Sequence, residues 1–110
     1  MINKIYYGNK IVSPEKSKKI EVYYIDIDGT HQLTPDLSRA VSKISSTDFD
    51  WGYEDLRSNQ LSLSILLDYS NDVELSEKFY HDFKIDYVKN WGLNWRLTTK
   101  EIDEWLKIQN

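Results

Sequence analysis

Residues 18–30 read Lys18-Lys19-Ile20-Glu21-Val22-Tyr23-Tyr24-Ile25-Asp26-Ile27-Asp28-Gly29-Thr30, and their pattern decides the fold class. Ile20, Val22 and Tyr24 alternate with Glu21 and Tyr23 at the period of two that sends successive side chains to opposite faces of a strand. Asp28-Gly29 follows directly. An Asp-Gly pair between β-prone segments predicts a hairpin, because both residues tolerate the positive φ that matches strand twist. His31-Gln32-Leu33 is then the returning strand, ended by Thr34-Pro35. Upstream, Lys4-Ile5-Tyr6-Tyr7 is a short β-prone run, and Ile11-Val12 extends it or pairs with it before Pro14 breaks the ladder.

Beyond Pro35 the period changes to that of helices. Leu37, Val41 and Ile44 sit at helical spacing between a proline and a Ser-Ser-Thr-Asp cluster, which predicts a loop or a short helix. From Ser58 to Tyr69 a helix is expected to be central and buried, because Leu61, Leu63, Ile65, Leu66 and Leu67 leave it little polar face. Ser62 and Ser64 would allow close approach there, their hydroxyls bonded back to the helix backbone. Asn71 and Glu74 have the spacing of a capping box opening a second helix, along which Leu75, Phe79, Phe83, Tyr87 and Trp91 recur every four residues. Gly92 is placed to stop it. Leu93 to Leu97 then bridges to Thr98, which forms a second capping box with Glu101 and opens a helix from Thr99 to about Gln109, with Ile102, Trp105 and Leu106 inward. The sum is one α+β domain over residues 1–110. A small antiparallel sheet of N-terminal strands, with its Asp-Gly hairpin, is covered on one face by about three C-terminal helices.

Composition narrows the function classes. A chain of 110 residues, 40% hydrophobic and rich in Trp and Tyr, can bury roughly two-thirds of its unfolded surface in one core. It contains no Cys, so disulfides, thiolate nucleophiles and Cys-ligated zinc are excluded. The longest apolar run, Ile65-Leu66-Leu67, is far below membrane-spanning length, and Met1-Ile2-Asn3-Lys4 does not begin a secretion signal. A cytoplasmic protein is expected, without a membrane partner. Charge is unevenly spread. Residues 1–25 carry Lys4, Lys10, Lys16, Lys18 and Lys19 against Glu15 and Glu21, whereas residues 45–87 carry ten acids against Arg57, Lys78 and Lys84. That acidic middle should repel free nucleic acid and favour a basic partner surface, unless it only solvates the outer faces of helices.

Catalytic constellations are sparse. Asp26-Ile27-Asp28-Gly29-Thr30 spells the Asp-x-Asp-Gly-Thr signature and so resembles the haloacid-dehalogenase-like phosphatases, which would make Asp26 the nucleophile and Asp28 the general acid. That fold needs a doubly wound parallel core and a helix after the motif, but here a short polar strand and a proline follow. His31 and His81 are the only imidazoles and stand 50 positions apart, with no carboxylates at metal-ligand spacing. No Gly-rich phosphate loop and no G-x-S-x-G elbow occurs. The expectation is a non-enzymatic protein without cofactor or metal.

Phe49-Asp50-Trp51-Gly52-Tyr53, Gln60-Leu61 leading into Ile65-Leu66-Leu67-Asp68, Phe79-Tyr80-x-x-Phe83-Lys84, and Trp95-x-Leu97-Thr98 with Ile102 and Trp105-Leu106 resemble a family of small uncharacterised proteins of phages and prokaryotic genomes. The resemblance covers a little more than half of the chain and implies no activity. Glu54-Asp55-Leu56-Arg57-Ser58-Asn59 stands where that pattern has a Gly/Ser/Pro-rich stretch. The matched residues read either as core or as a partner site centred on Trp51 and Tyr53, with Asp48, Asp50, Glu54 and Asp55 as its acidic border.

The small Lys/Ile/Asn-rich chain is also similar in type to anti-CRISPR proteins. That similarity implies an inhibitor that binds a host protein or ribonucleoprotein, specifically an RNA-guided CRISPR effector, at its basic nucleic-acid channel. The alternative is an RNA-binding module in which Lys18, Lys19 and Tyr23 of the N-terminal strands contact and stack bases.

Overall fold

In a computed structural model, which describes residues 3–15 and 17–109, the chain forms a four-stranded antiparallel sheet and four helices. Strands β1 (Ile5–Val12), β2 (Lys18–Asp26) and β3 (Gly29–Gln32) are followed by α1 (Asp36–Val41), α2 (Leu56–Ser70) and α3 (Val73–Asp86). A 3-10 turn over Val88–Asn90, strand β4 (Asn94–Thr98) and α4 (Thr99–Gln109) complete it. The sheet order is β3-β2-β1-β4, so the α+β class with N-terminal strands and C-terminal helices holds.

The register fixes what each face carries. Tyr6 pairs with Tyr24 and Leu97, and Gly8 with Val22 and Trp95. Tyr6, Val22, Trp95 and Leu97 are buried against Leu61, Ile65 and Leu66 of α2, Phe79 and Phe83 of α3, and Ile102, Trp105 and Leu106 of α4. The alternate residues form the opposite face. There Ile5 pairs with Ile25 and Thr98, Tyr7 with Tyr23 and Arg96, and Ile11 with Lys19.

The hairpin forms, but its two loop residues are Ile27 and Asp28, because Asp26 pairs with Gly29. Gly29 takes the positive φ of 121° as the first residue of the return strand. Asp26 Oδ1 accepts the Asp28 backbone N–H at 2.9 Å, and this local bond holds the turn.

Strand β4 corrects the expectation that residues 93–97 only bridge two helices. Trp95 and Leu97 are buried while Asn94 and Arg96 are exposed, a strand alternation too short to stand out from sequence. Its pairing partner β1 lies some ninety residues away in the chain, so no local turn announces it.

The helices follow their caps. Asp55 caps α2 by accepting from Arg57 N, and Asp72, not Asn71, caps α3 by accepting from Leu75 N. Asn71 instead ends α2 in the left-handed conformation, φ 52°, a role its side chain suits. Thr98 and Glu101 form the capping box expected of α4: Glu101 N donates to Thr98 Oγ1 at 3.2 Å, and Thr98 N donates to Glu101 Oε1 at 3.1 Å. The helix α3 stops at Asp86 and does not reach Trp91. Tyr87 and Trp91 lie beyond its end, and both still pack with Leu75, Phe79 and Phe83 on the same core.

Inside α2, Ser62 and Ser64 tie helices together and do not bond back to their own. Ser62 Oγ donates to the Tyr80 carbonyl of α3 at 2.6 Å, and Ser64 Oγ to Ser38 Oγ of α1 at 2.5 Å. Gln60, fully buried, accepts from the backbone N–H of Ile44 and Ser45 through Oε1 and donates to Ser38 Oγ through Nε2. It thereby satisfies the segment after α1, which would otherwise bury unpaired amides.

Candidate functional site

The segment between α1 and α2 holds the residues that the sequence marks out, and the fold divides them. Asp50 and Trp51 are fully buried, Tyr53 is 40% exposed, Asp48 and Glu54 are exposed and Asp55 is half-buried. As part of a partner surface, Asp50 and Trp51 are therefore corrected: neither has surface to offer.

Three cations converge on the buried Asp50 carboxylate. Lys10 Nζ lies 2.5 Å from Oδ1 and Lys18 Nζ 2.7 Å from Oδ2, with Arg57 Nη1 at 3.6 Å. The Trp51 backbone N–H donates to Oδ1 at 2.8 Å, and the Tyr53 hydroxyl donates to Oδ2. Burial pushes the Asp50 carboxyl up, but the donors Lys10, Lys18, Tyr53 and Trp51 N–H together outweigh it and hold it well below the usual carboxylate range. Lys18 is raised, first by its hydrogen bond to Asp50. The Tyr53 hydroxyl is raised by burial and by its bond to that same carboxylate.

Around this charge the tryptophans interlock. Trp51 meets Trp95 edge to face at 5.7 Å between centroids, and Trp91 stacks on Trp95 at 3.9 Å. Trp51 Nε1 donates to the Gly92 carbonyl at 2.7 Å, and Lys10 Nζ lies 4.9 Å from a Trp51 ring centroid. Gly8 leaves room for the Trp95 indole, which a Cβ there would meet at 2.4 Å. Gly52 has a φ of 91°, and a Cβ would stand 2.8 Å from the Trp91 backbone oxygen. Gly52→Ala combines that clash with strained backbone. It should destabilise the fold by about 1–3 kcal/mol, read as a lower urea midpoint at unchanged slope.

The acidic border is largely neutralised in place. Asp55 is held by Arg57 at 2.8 Å, and Glu54 faces Lys84 at 3.4 Å and Lys89 at 3.8 Å. Asp48 makes no ion pair among the described residues. Acids without such cations among the described residues lie on the helices: Glu74, Glu77 and Asp82 of α3 and Glu101 and Glu104 of α4 are exposed. Burial raises the Tyr87 hydroxyl, and the charges of Glu101, Asp86 and Glu104 add to the effect.

The alternative basic set is divided too. Lys18 turns to the covered side and binds Asp50, while Lys19, on the open face, pairs with Glu21 at 3.1 Å. Tyr23 stacks on Tyr7 at 5.6 Å between centroids, on the two central strands. Arg96 is exposed beside Tyr7, Ile11 is 53% exposed and Ile25 39%. The open sheet face is thus an aromatic and aliphatic surface of low charge. Tyr7 and Arg96 enter it through β1 and β4, and the strand alternation of Ile5, Tyr7, Asn9 and Ile11 is the sequence signal for the first of them.

Asp26 and Asp28 sit on an antiparallel hairpin, not at the end of a parallel strand. Asp26 is occupied by His31 Nε2 at 3.0 Å as well as by the turn amide. Among the described residues no group of His, Asp and Glu is arranged to hold a metal ion, and no helix is long and apolar enough to cross a membrane. No curated protein and no solved structure matches the chain. The matching family profile spans residues 6–108, strands and helices alike, and on that extent the chain belongs to a family of unknown function, DUF6166.

Proposed function

We propose that the protein is a non-enzymatic binding protein that engages a partner protein through the open face of its sheet. The observation that supports this is the sheet face of partly exposed Ile5, Tyr7 and Tyr23 with exposed Ile25 and Arg96, opposite the face on which the described helices pack. Tyr and Arg are enriched at protein interfaces, where a few well-packed aromatic anchors dominate affinity. Phosphate backbones need clustered cations, and here Lys19 is offset by Glu21.

A second reading rests on the helices. The exposed acids of α3 and α4 present negative charge, which suits the basic nucleic-acid channel of an RNA-guided CRISPR nuclease. In that form the protein is an inhibitor that occupies the effector.

Charge substitutions separate the two. Tyr23→Ala with Ile25→Asp should abolish partner capture while leaving the melting transition nearly unchanged, since both residues are partly exposed. Glu74→Lys, Glu77→Lys and Asp82→Lys together should leave capture intact under the first reading and relieve nuclease inhibition under the second. Capture insensitive to the sheet substitutions would defeat the first reading. So would tight binding of free RNA that weakens steeply with salt, because it would make the Tyr7–Tyr23 pair a base-stacking platform.

A further inference from the structure

Behind the sheet, between β2, β3, α1 and α2, lies a cavity of about 530 Å³, within the range of ligand sites. Its walls mix aliphatic side chains, among them Leu33, Val41, Leu67 and Val73, with polar ones, and Lys4 and Asp68 stand in the same lining. These two form an ion pair, Lys4 Nζ to Asp68 Oδ2 at 3.0 Å, with side chains 17% and 18% exposed. The Tyr6 hydroxyl donates to that same oxygen at 2.7 Å. Lys4 Nζ also rests 4.6 Å from the Tyr24 ring centroid.

All hydrogen bonds to Asp68 among the described residues fall on Oδ2, so Oδ1 is available as an acceptor. Lys4 Nζ has three N–H groups and spends one on a carboxylate oxygen. The cavity therefore has an acceptor anion and a donor cation side by side in its wall, next to the aliphatic side chains. A purely apolar ligand would dehydrate both charges without replacing their hydrogen bonds. A ligand with a single anionic group would meet Lys4 but also be repelled by Asp68, and a single cation would meet the converse. A zwitterion with adjacent charges satisfies both.

We propose that this cavity binds a free α-amino acid with a large apolar side chain. Its carboxylate accepts from Lys4 Nζ, its ammonium donates to Asp68 Oδ1, and its side chain lies among Leu33, Val41, Leu67 and Val73. The site is on the helix side of the sheet and does not depend on the partner reading above.

The test is an amide-shift titration of the full chain with four probes: phenylalanine, 3-phenylpropanoate, 2-phenylethylamine and glycine. Phenylalanine should produce saturable shifts centred on Leu33, Val41, Leu67 and Val73. Each single-charge analogue should bind at least tenfold more weakly, and glycine should leave those amides unmoved. The double variant Lys4→Met/Asp68→Leu replaces the ion pair by apolar groups and should lose the preference for phenylalanine over 3-phenylpropanoate. Val41→Phe, which fills the cavity from another wall, should abolish the shifts while keeping the ion pair, and covers the case in which the double variant does not fold. Equal affinity for phenylalanine and either single-charge analogue would overturn the amino-acid assignment, and the absence of saturable shifts with phenylalanine would overturn the site.

Discussion

Replacing Asp50 by Asn is expected to destabilise the fold by about 3 kcal/mol at neutral pH. Asp50 is fully buried and is the common anion of Lys10, Lys18 and Arg57. Removing one partner of a buried ion pair costs about 3–5 kcal/mol, because the remaining charge is left without its counter-ion. The lower end applies, since the Lys18 side chain is 38% exposed and can recover water. Asp48→Asn, at an exposed position, should change stability by less than about 0.5 kcal/mol. The difference should depend on pH in a definite direction. The folded state holds the Asp50 carboxyl low, whereas the unfolded chain titrates it near the ordinary value of about 4. The stabilisation is then complete above that pH and shrinks as the pH falls below it. Urea unfolding of both proteins across this range measures it, and a gap between them that stays constant into acid would contradict the ion cluster.

The other large effect is expected at Phe83, where truncation to Ala should cost about 3–5 kcal/mol. Phe83 is fully buried, with its ring 5.0 Å from Tyr87 and 5.1 Å from Trp105 between centroids. Trp105 in turn meets Phe79 edge to face and donates its indole N–H to Asp86 Oδ2 at 2.7 Å. One side chain thus joins α3 to α4, and the cavity left by its loss is bounded by rings that cannot easily collapse into it. For a small domain this is a large share of total stability. A soluble variant with an unchanged unfolding midpoint would place Phe83 at the surface and turn the aromatic stripe into an interface.

Local chemistry made much of this fold legible. The capping box at Thr98 and Glu101 fixed the start of α4 because its bonds lie within four residues, and the Leu-rich run of α2 announced a buried helix because few of its positions are polar. The pairing of Tyr7 with Tyr23 on the open sheet face came from the register of β1 on β2, which alternation within either strand does not fix. Strand β4 did not show itself, since five residues carry too little pattern and their partner is at the far end of the chain.

Charge was the property least readable from sequence. The basic excess of residues 1–25 and the acidic excess of residues 45–87 looked like two surfaces with opposite partners. Folding sets them against each other instead, in Lys4 with Asp68 and in Lys10 and Lys18 with Asp50. The sequence by itself determined the α+β class, the presence of the hairpin and the capping box of α4, because these depend on neighbours a few residues apart. Only the tertiary structure decided that Asp50 and Trp51 lie inside, that Lys18 is turned away from the open face, and that a cavity opens beside Lys4 and Asp68. Such outcomes depend on which distant groups meet, and a side chain's charge or ring does not specify its partner until the backbone brings the two together.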